Sequence, residues 1–105
     1  MKNNKIMALR CALLIAISEA EKMKDIEDGG TSNMDTPIIF LPKWNWVSIL
    51  EAFQLTGLTP YKYEKAIHIL GACEGQGFRR TAMARAFRDS LKAQGYDAAV
   101  YYEID

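Results

Sequence analysis

The sequence predicts a single α+β domain, a four-stranded sheet packed by helices in two layers, with the order α-β-α-β-β-α-β over residues 1–105. Three observations predict it. Apolar residues recur at helical spacing in three separate stretches. Four short stretches between and after them are either continuously apolar or alternate at period two, as strands do. Glycine or proline stands at most of the junctions, and no internal repeat or linker divides the chain. Half of the 105 residues are hydrophobic, 25% are charged, and only seven glycines and three prolines are present. That composition excludes disordered, collagen-like and low-complexity classes.

From Asn3 or Asn4 to about Lys24, Ile6, Leu9, Leu13, Ile17 and Ala20 form one helical stripe, which Met7, Leu14 and Ile15 widen. So wide a face implies burial on more than one side or a homodimer through residues 6–17. Asp28-Gly29-Gly30 is expected to stop this helix, because glycine enters left-handed conformations without a steric cost. After a loop over 25–36, Pro37 opens the apolar run Ile38-Ile39-Phe40-Leu41, closed by Pro42, which fits a short strand covered on both faces. Lys43 to Thr56 reads as a second helix with Trp46, Val47, Leu50 and Phe53 in its apolar set and Gly57 as its stop. Residues 61–64 and 66–72 alternate around Glu64-Lys65 and predict a hairpin, although that turn lacks the Asn-Gly or Asp-Gly that tight hairpins favour. A third helix runs from about Arg79 to Gln94, with Met83, Phe87 and Leu91 inward and Thr81, Arg85, Arg88 and Lys92 outward; Gly95 ends it. Asp97 to Glu103 is the last strand.

Thirteen basic and thirteen acidic side chains cancel, so any preference for nucleic acid, membranes or acidic partners has to be local. The charge is segregated. Residues 19–35 hold six acids against two lysines, and residues 79–92 hold five basic residues against Asp89. Folded apart, these segments leave a basic patch; folded together, they neutralise each other or pair across a dimer. Cys11 and Cys73 lie far apart with no neighbouring Cys or His at metal spacing, so both are expected to be buried thiols and neither a zinc site nor a redox pair. Lys2, Lys5 and Arg10 before an apolar run imitate a secretory leader, but the helical stripe continues past the would-be cleavage site. The expectation is a folded helix in a reducing cytoplasm, with no membrane span.

The segment that could carry function is Gly71-Ala-Cys-Glu-Gly75-Gln-Gly77-Phe-Arg79-Arg80-Thr81. It sets glycines between a strand and a helix, where main-chain N–H groups are free to face an anion. Two arginines at a helix N-terminus oppose the helix dipole by roughly 0.3–1 kcal/mol. They become reasonable if a phosphate or carboxylate lies between them and the amides of Gly75, Gln76 and Gly77, with Thr81 capping the helix or touching the same anion. The bland alternative is a glycine-rich turn followed by solvated arginines. The glycine spacing matches neither a P-loop nor a dinucleotide fold.

A second polar loop, Asp28-Gly29-Gly30-Thr31-Ser32-Asn33-Met34-Asp35, offers Asp28, Thr31, Asn33 and Asp35 as partners for ribose hydroxyls or base amino groups. It lacks the acid spacing of a calcium loop, and a structural Asx turn is its bland alternative. Trp44, Trp46, Tyr61, Tyr63, Tyr101 and Tyr102 are candidates for stacking on a base, with Trp44 and Tyr61 favoured because both flank loops. His68, alternating with Ala66 and Leu70, reads as a structural strand histidine rather than a base. No catalytic constellation, cofactor or metal site is assembled from neighbouring motifs, and a small enzyme using Glu74 or His68 stands only as an alternative.

Three blocks, Asp28-Gly-Gly-Thr-Ser-Asn-Met-Asp35, Gly75-Gln-Gly-Phe-Arg-Arg-Thr81 and Gly95-Tyr-Asp-Ala-Ala-Val-Tyr-Tyr102, resemble a family of small uncharacterised bacteriophage and mobile-element proteins. Together they cover about a fifth of the chain. The resemblance implies a phage-type protein acting in a bacterial host's cytoplasm, where such proteins counter host defence by sequestering a nucleotide signal or blocking an effector. The leading expectation is therefore a non-enzymatic binder that sequesters a small phosphorylated ligand, a nucleotide or ADP-ribose-like immune signal. An anti-CRISPR-like protein inhibitor that docks on a host defence effector through the basic third helix is the alternative.

Overall fold

The computed structural model describes residues 2–30 and 33–103. Its elements are α1 (Asn3–Glu21), β1 (Thr36–Ile39), α2 (Trp46–Phe53), β2 (Thr59–Tyr63), β3 (Ala66–Leu70), α3 (Gly77–Ala93) and β4 (Ala98–Tyr101). The strands form one sheet in the order β2-β3-β1-β4, antiparallel at every step. β1 and β2 are joined through α2 with β3 lying between them, and β3 and β4 are joined through α3 with β1 between them. Two interleaved split β-α-β units result, the connectivity called ferredoxin-like, preceded here by one further helix.

Register follows from the two-residue turn at Glu64-Lys65, which pairs Tyr63 with Ala66 and so Tyr61 with His68. On the other side of β3, His68 faces Ile38, and Ile38 faces Ala99 across β1 and β4. Because side chains alternate at period two, Ile39, Ile67, Ile69 and Ala98 share the face that enters the core. Ile38, Tyr61, Tyr63, His68 and Tyr101 share the opposite face.

α1 contributes Ile6, Leu9, Leu13, Ala16 and Ala20 to the core, and α3 contributes Met83, Phe87 and Leu91. α1 packs on α3 and also on α2. The small side chains of Ala12, Ala16 and Ala20, all buried, permit a close helix approach. Met83, Phe87 and Leu91 are inward as their spacing predicts; Ala84 is buried beside them, and Thr81, expected outward, is half-buried and bonds the buried Asp35.

Several boundaries and faces differ from the sequence reading. α1 ends at Glu21, well before Asp28-Gly29-Gly30, and Lys22 remains right-handed at its end. Met7, Leu14 and Ile15 are 44–49% exposed, so the wide apolar face of α1 is not buried twice within this chain. α2 starts only at Trp46, because the Asn45 side chain accepts a 2.8 Å hydrogen bond from the Ser48 N–H and caps the helix there. That start sets the buried stripe as Ser48, Ile49, Ala52 and Phe53, and it turns Val47, expected inward, out to 75% exposure. Cys11, expected to be buried, is exposed on α1. Among the described residues, no helix is long and apolar enough to cross a membrane.

Candidate functional site

The fold brings the two polar segments singled out in the sequence into direct contact at the start of α3. The Gln76 N–H, at the N-cap of α3, donates to Asp28 Oδ1 at 2.9 Å, and the Phe78 N–H donates to the Gly29 carbonyl at 2.8 Å. Arg79 Nε donates to the Ile26 carbonyl at 2.8 Å, and its terminal nitrogen lies 3.5 Å from Asp28 Oδ2. Arg80 Nε donates to the Asp35 carbonyl at 2.8 Å. The Thr81 hydroxyl donates to Asp35 Oδ2 at 2.7 Å, and Asn33 Nδ2 donates to Gly77 O and Thr81 Oγ1, both at 3.2 Å. Thr31 lies outside the described residues.

Glycines are needed here for room. Gly75 has φ of +81°, and a side chain at that position would run into Asp28 and Arg79. The Phe78 ring lies against Gly29 and Gly30, where added Cβ atoms would fall 2.9–3.0 Å from it. These contacts give a physical reason for two arginines at a helix N-terminus. Arg79 and Arg80 are not splayed into solvent; main-chain carbonyls hold them, and the Asp28 carboxylate sits where an anion is favoured by the helix dipole. The acidic and basic segments have folded together, and the chain's own acceptors engage the Gln76 N–H, Arg79, Arg80 and the Thr81 hydroxyl, all expected to meet a ligand.

What the seat leaves available lies on the far side of Arg80. One terminal nitrogen donates to Thr36 Oγ1 at 3.5 Å, and Arg80 borders a depression of about 490 Å³ on the sheet face opposite the helices. That depression is lined by Tyr61, Tyr63, His68, Tyr101 and Glu103 among others. The His68 ring stands edge-on to three tyrosines, at centroid distances of 6.3 Å to Tyr61, 6.0 Å to Tyr63 and 5.1 Å to Tyr101. Burial among these rings lowers the His68 pKa, opposed in part by the Glu103 carboxylate, so the imidazole is neutral at pH 7. Tyr61, Tyr63 and Tyr101 remain 40–54% exposed.

The aromatic candidates therefore separate. Tyr61, Tyr63 and Tyr101 converge on one face. Tyr102 is held by Arg85, whose Nε donates to its hydroxyl at 3.1 Å and whose guanidinium lies 5.6 Å from the ring centroid. Trp44, favoured from the sequence, packs against the core. His68, expected as a structural strand histidine, stands at the centre of the cluster. Its place could have been read from the hairpin register, which sets it opposite Tyr61. Among the described residues, no group of three or more His, Cys, Asp or Glu is placed to hold a metal ion.

Comparison with protein-family models, with curated proteins and with solved structures gives no match.

Proposed function

We propose that this protein is a non-enzymatic binding module for a base-bearing phosphorylated ligand, held on the open face of the sheet. The observation that carries the reading is the cluster of Tyr61, Tyr63, His68 and Tyr101, with the Arg80 guanidinium at its rim. Aromatic rings left 40–54% exposed on a rigid sheet supply stacking surface at little entropic cost, and a guanidinium at the edge supplies donors for phosphate. The start of α3 then serves as the support that fixes Arg80 rather than as the phosphate seat itself. In the phage-type setting that the three sequence blocks imply, such a module acts by sequestering a host nucleotide or ADP-ribose-like signal.

Calorimetric titration with nucleoside mono- and diphosphates and ADP-ribose tests this reading. Binding is expected, with the ligand recovered unchanged and with clear weakening in Tyr61→Ser and Tyr101→Ser. Affinity indifferent to both substitutions overturns it, as does absence of binding to all of these and to short single-stranded oligonucleotides. A second reading, inhibition of a host effector through α3, draws support from Phe78, which is 63% exposed beside Arg85 along an outer groove. It requires Phe78→Ala or Arg85→Ala to abolish binding to a protein target.

A further inference from the structure

The sheet face carries two depressions, not one. Beside the depression that Arg80 borders lies a second of about 380 Å³, lined by Phe40 and Lys65 and sharing Tyr63, His68 and Tyr101 with the first. The shared rings form a ridge with a hollow on either side. Each hollow holds one cation and one carboxylate, Arg80 with Glu103 in the first and Lys65 with Glu64 in the second. Among the described residues, no element covers this face.

From this geometry, and resting on the reading of the face as a base-binding platform, we infer that the occupant is a single-stranded oligonucleotide whose successive bases fill both hollows across the Tyr63-His68-Tyr101 ridge. A mononucleotide has one base and fills one hollow. Duplex nucleic acid keeps its base faces stacked on each other and presents none to the rings, whereas single strands offer them freely. The charge pattern argues against a duplex. With a carboxylate beside each cation and no net charge on the chain, the platform lacks the basic surface that holds duplex phosphates. Binding is carried by stacking, the carboxylates accept hydrogen bonds from base amino or ribose hydroxyl groups, and at most two cations meet phosphate. The salt dependence is then shallow, with a log–log slope no steeper than about −1.4.

The experiment compares uridine monophosphate, four-nucleotide and eight-nucleotide single strands, and a duplex of the longer sequence, all titrated into the full chain at two salt concentrations. The expected result is a tetranucleotide bound at least about thirtyfold more tightly than the monophosphate, with the duplex failing to compete. Tyr61→Ser, which touches only the first hollow, should weaken the tetranucleotide about tenfold, and Tyr101→Ser, which touches both, should weaken it further. Both side chains are at least 40% exposed, so unchanged melting of the variants separates lost binding from lost fold. Equal affinity for monophosphate and tetranucleotide overturns the two-hollow inference and leaves the base-binding reading standing. Absence of binding to any of these overturns both. Equal competition by the duplex overturns the inference. So does sedimentation showing a dimer that Tyr101→Ser dissolves, because a second copy would then be what covers the face.

Discussion

The Thr81 hydroxyl donates a 2.7 Å hydrogen bond to Asp35 Oδ2 across 46 positions of sequence, and it ties the first turns of α3 to the chain entering β1. Asp35 is only 4% exposed. Its other oxygen accepts from the Glu103 N–H at 3.1 Å, and its carbonyl accepts from Arg80 Nε. One buried residue thus joins three segments and sets the direction of the arginine that reaches the sheet face.

Asp35→Ala leaves the Glu103 N–H and the Thr81 hydroxyl without their buried acceptor. The expected loss is about 2 kcal/mol, read as a fall in melting temperature of roughly 10 °C. Asp35→Asn keeps one acceptor oxygen and should recover part of that loss. Equal melting of wild type and Asp35→Ala would mean that these bonds do not hold the segments together.

Leu55 has φ of +67° and is 89% exposed. A left-handed conformation costs a non-glycine residue about 1–2 kcal/mol, and so exposed a side chain returns little through packing. Leu55→Gly should remove that strain, at a backbone-entropy cost of about 0.5–1 kcal/mol, for a net gain of about 0.5–1 kcal/mol. Leu55→Ala retains the Cβ and should give no gain. Thermal melting of the pair decides, and an equal rise in both would assign the effect to the lost apolar surface instead.

The two thiols should differ sharply in reactivity. Cys11 is exposed, whereas burial pushes the Cys73 thiol up to about 11, with Arg80 opposing that shift and Asp35 adding to it. Two pH units above the ordinary value of 9.0, Cys73 holds about a hundredfold less thiolate at pH 8 than an unperturbed thiol. A disulfide reagent should show one fast and one slow phase at pH 8. Cys11→Ser should remove the fast phase alone, and the slow phase should accelerate as the pH approaches 11.

The local rules explain what the sequence did and did not disclose. The inward face of α3 was legible because Met83, Phe87 and Leu91 repeat at helical spacing without competition. The buried face of α2 was not, since Val47 and Leu50 compete with Ile49 and Ala52 on apolarity alone, and the Asn45 cap decides between them. At the start of α3 two arginines break the dipole rule, and only the tertiary fold reveals that Asp28, 48 positions away from Gln76, places a carboxylate there. Tyr61 and His68 could be paired from the turn length. Tyr101 could not, because its place depends on β4 joining β1 across α3.

The neutral state of His68 gives the sheet face a defined response to acid. Desolvation lowers its pKa below 6.5, and the Glu103 carboxylate pulls it partly back. Between the folded-state pKa and 6.5 the unfolded chain therefore binds more protons than the folded one, so stability rises with pH across that window. The contribution is complete above 6.5 and is lost as pH falls toward the folded-state value. Glu103→Gln removes the opposing charge, so the His68 titration should move further down, and the acid-sensitive window should widen at its lower edge. Imidazole proton shifts followed by NMR between pH 4 and 8 read this directly. An upward move in Glu103→Gln would show that the carboxylate does not act on the ring, and a wild-type midpoint at or above 6.5 would show that the surrounding tyrosines do not exclude water from it.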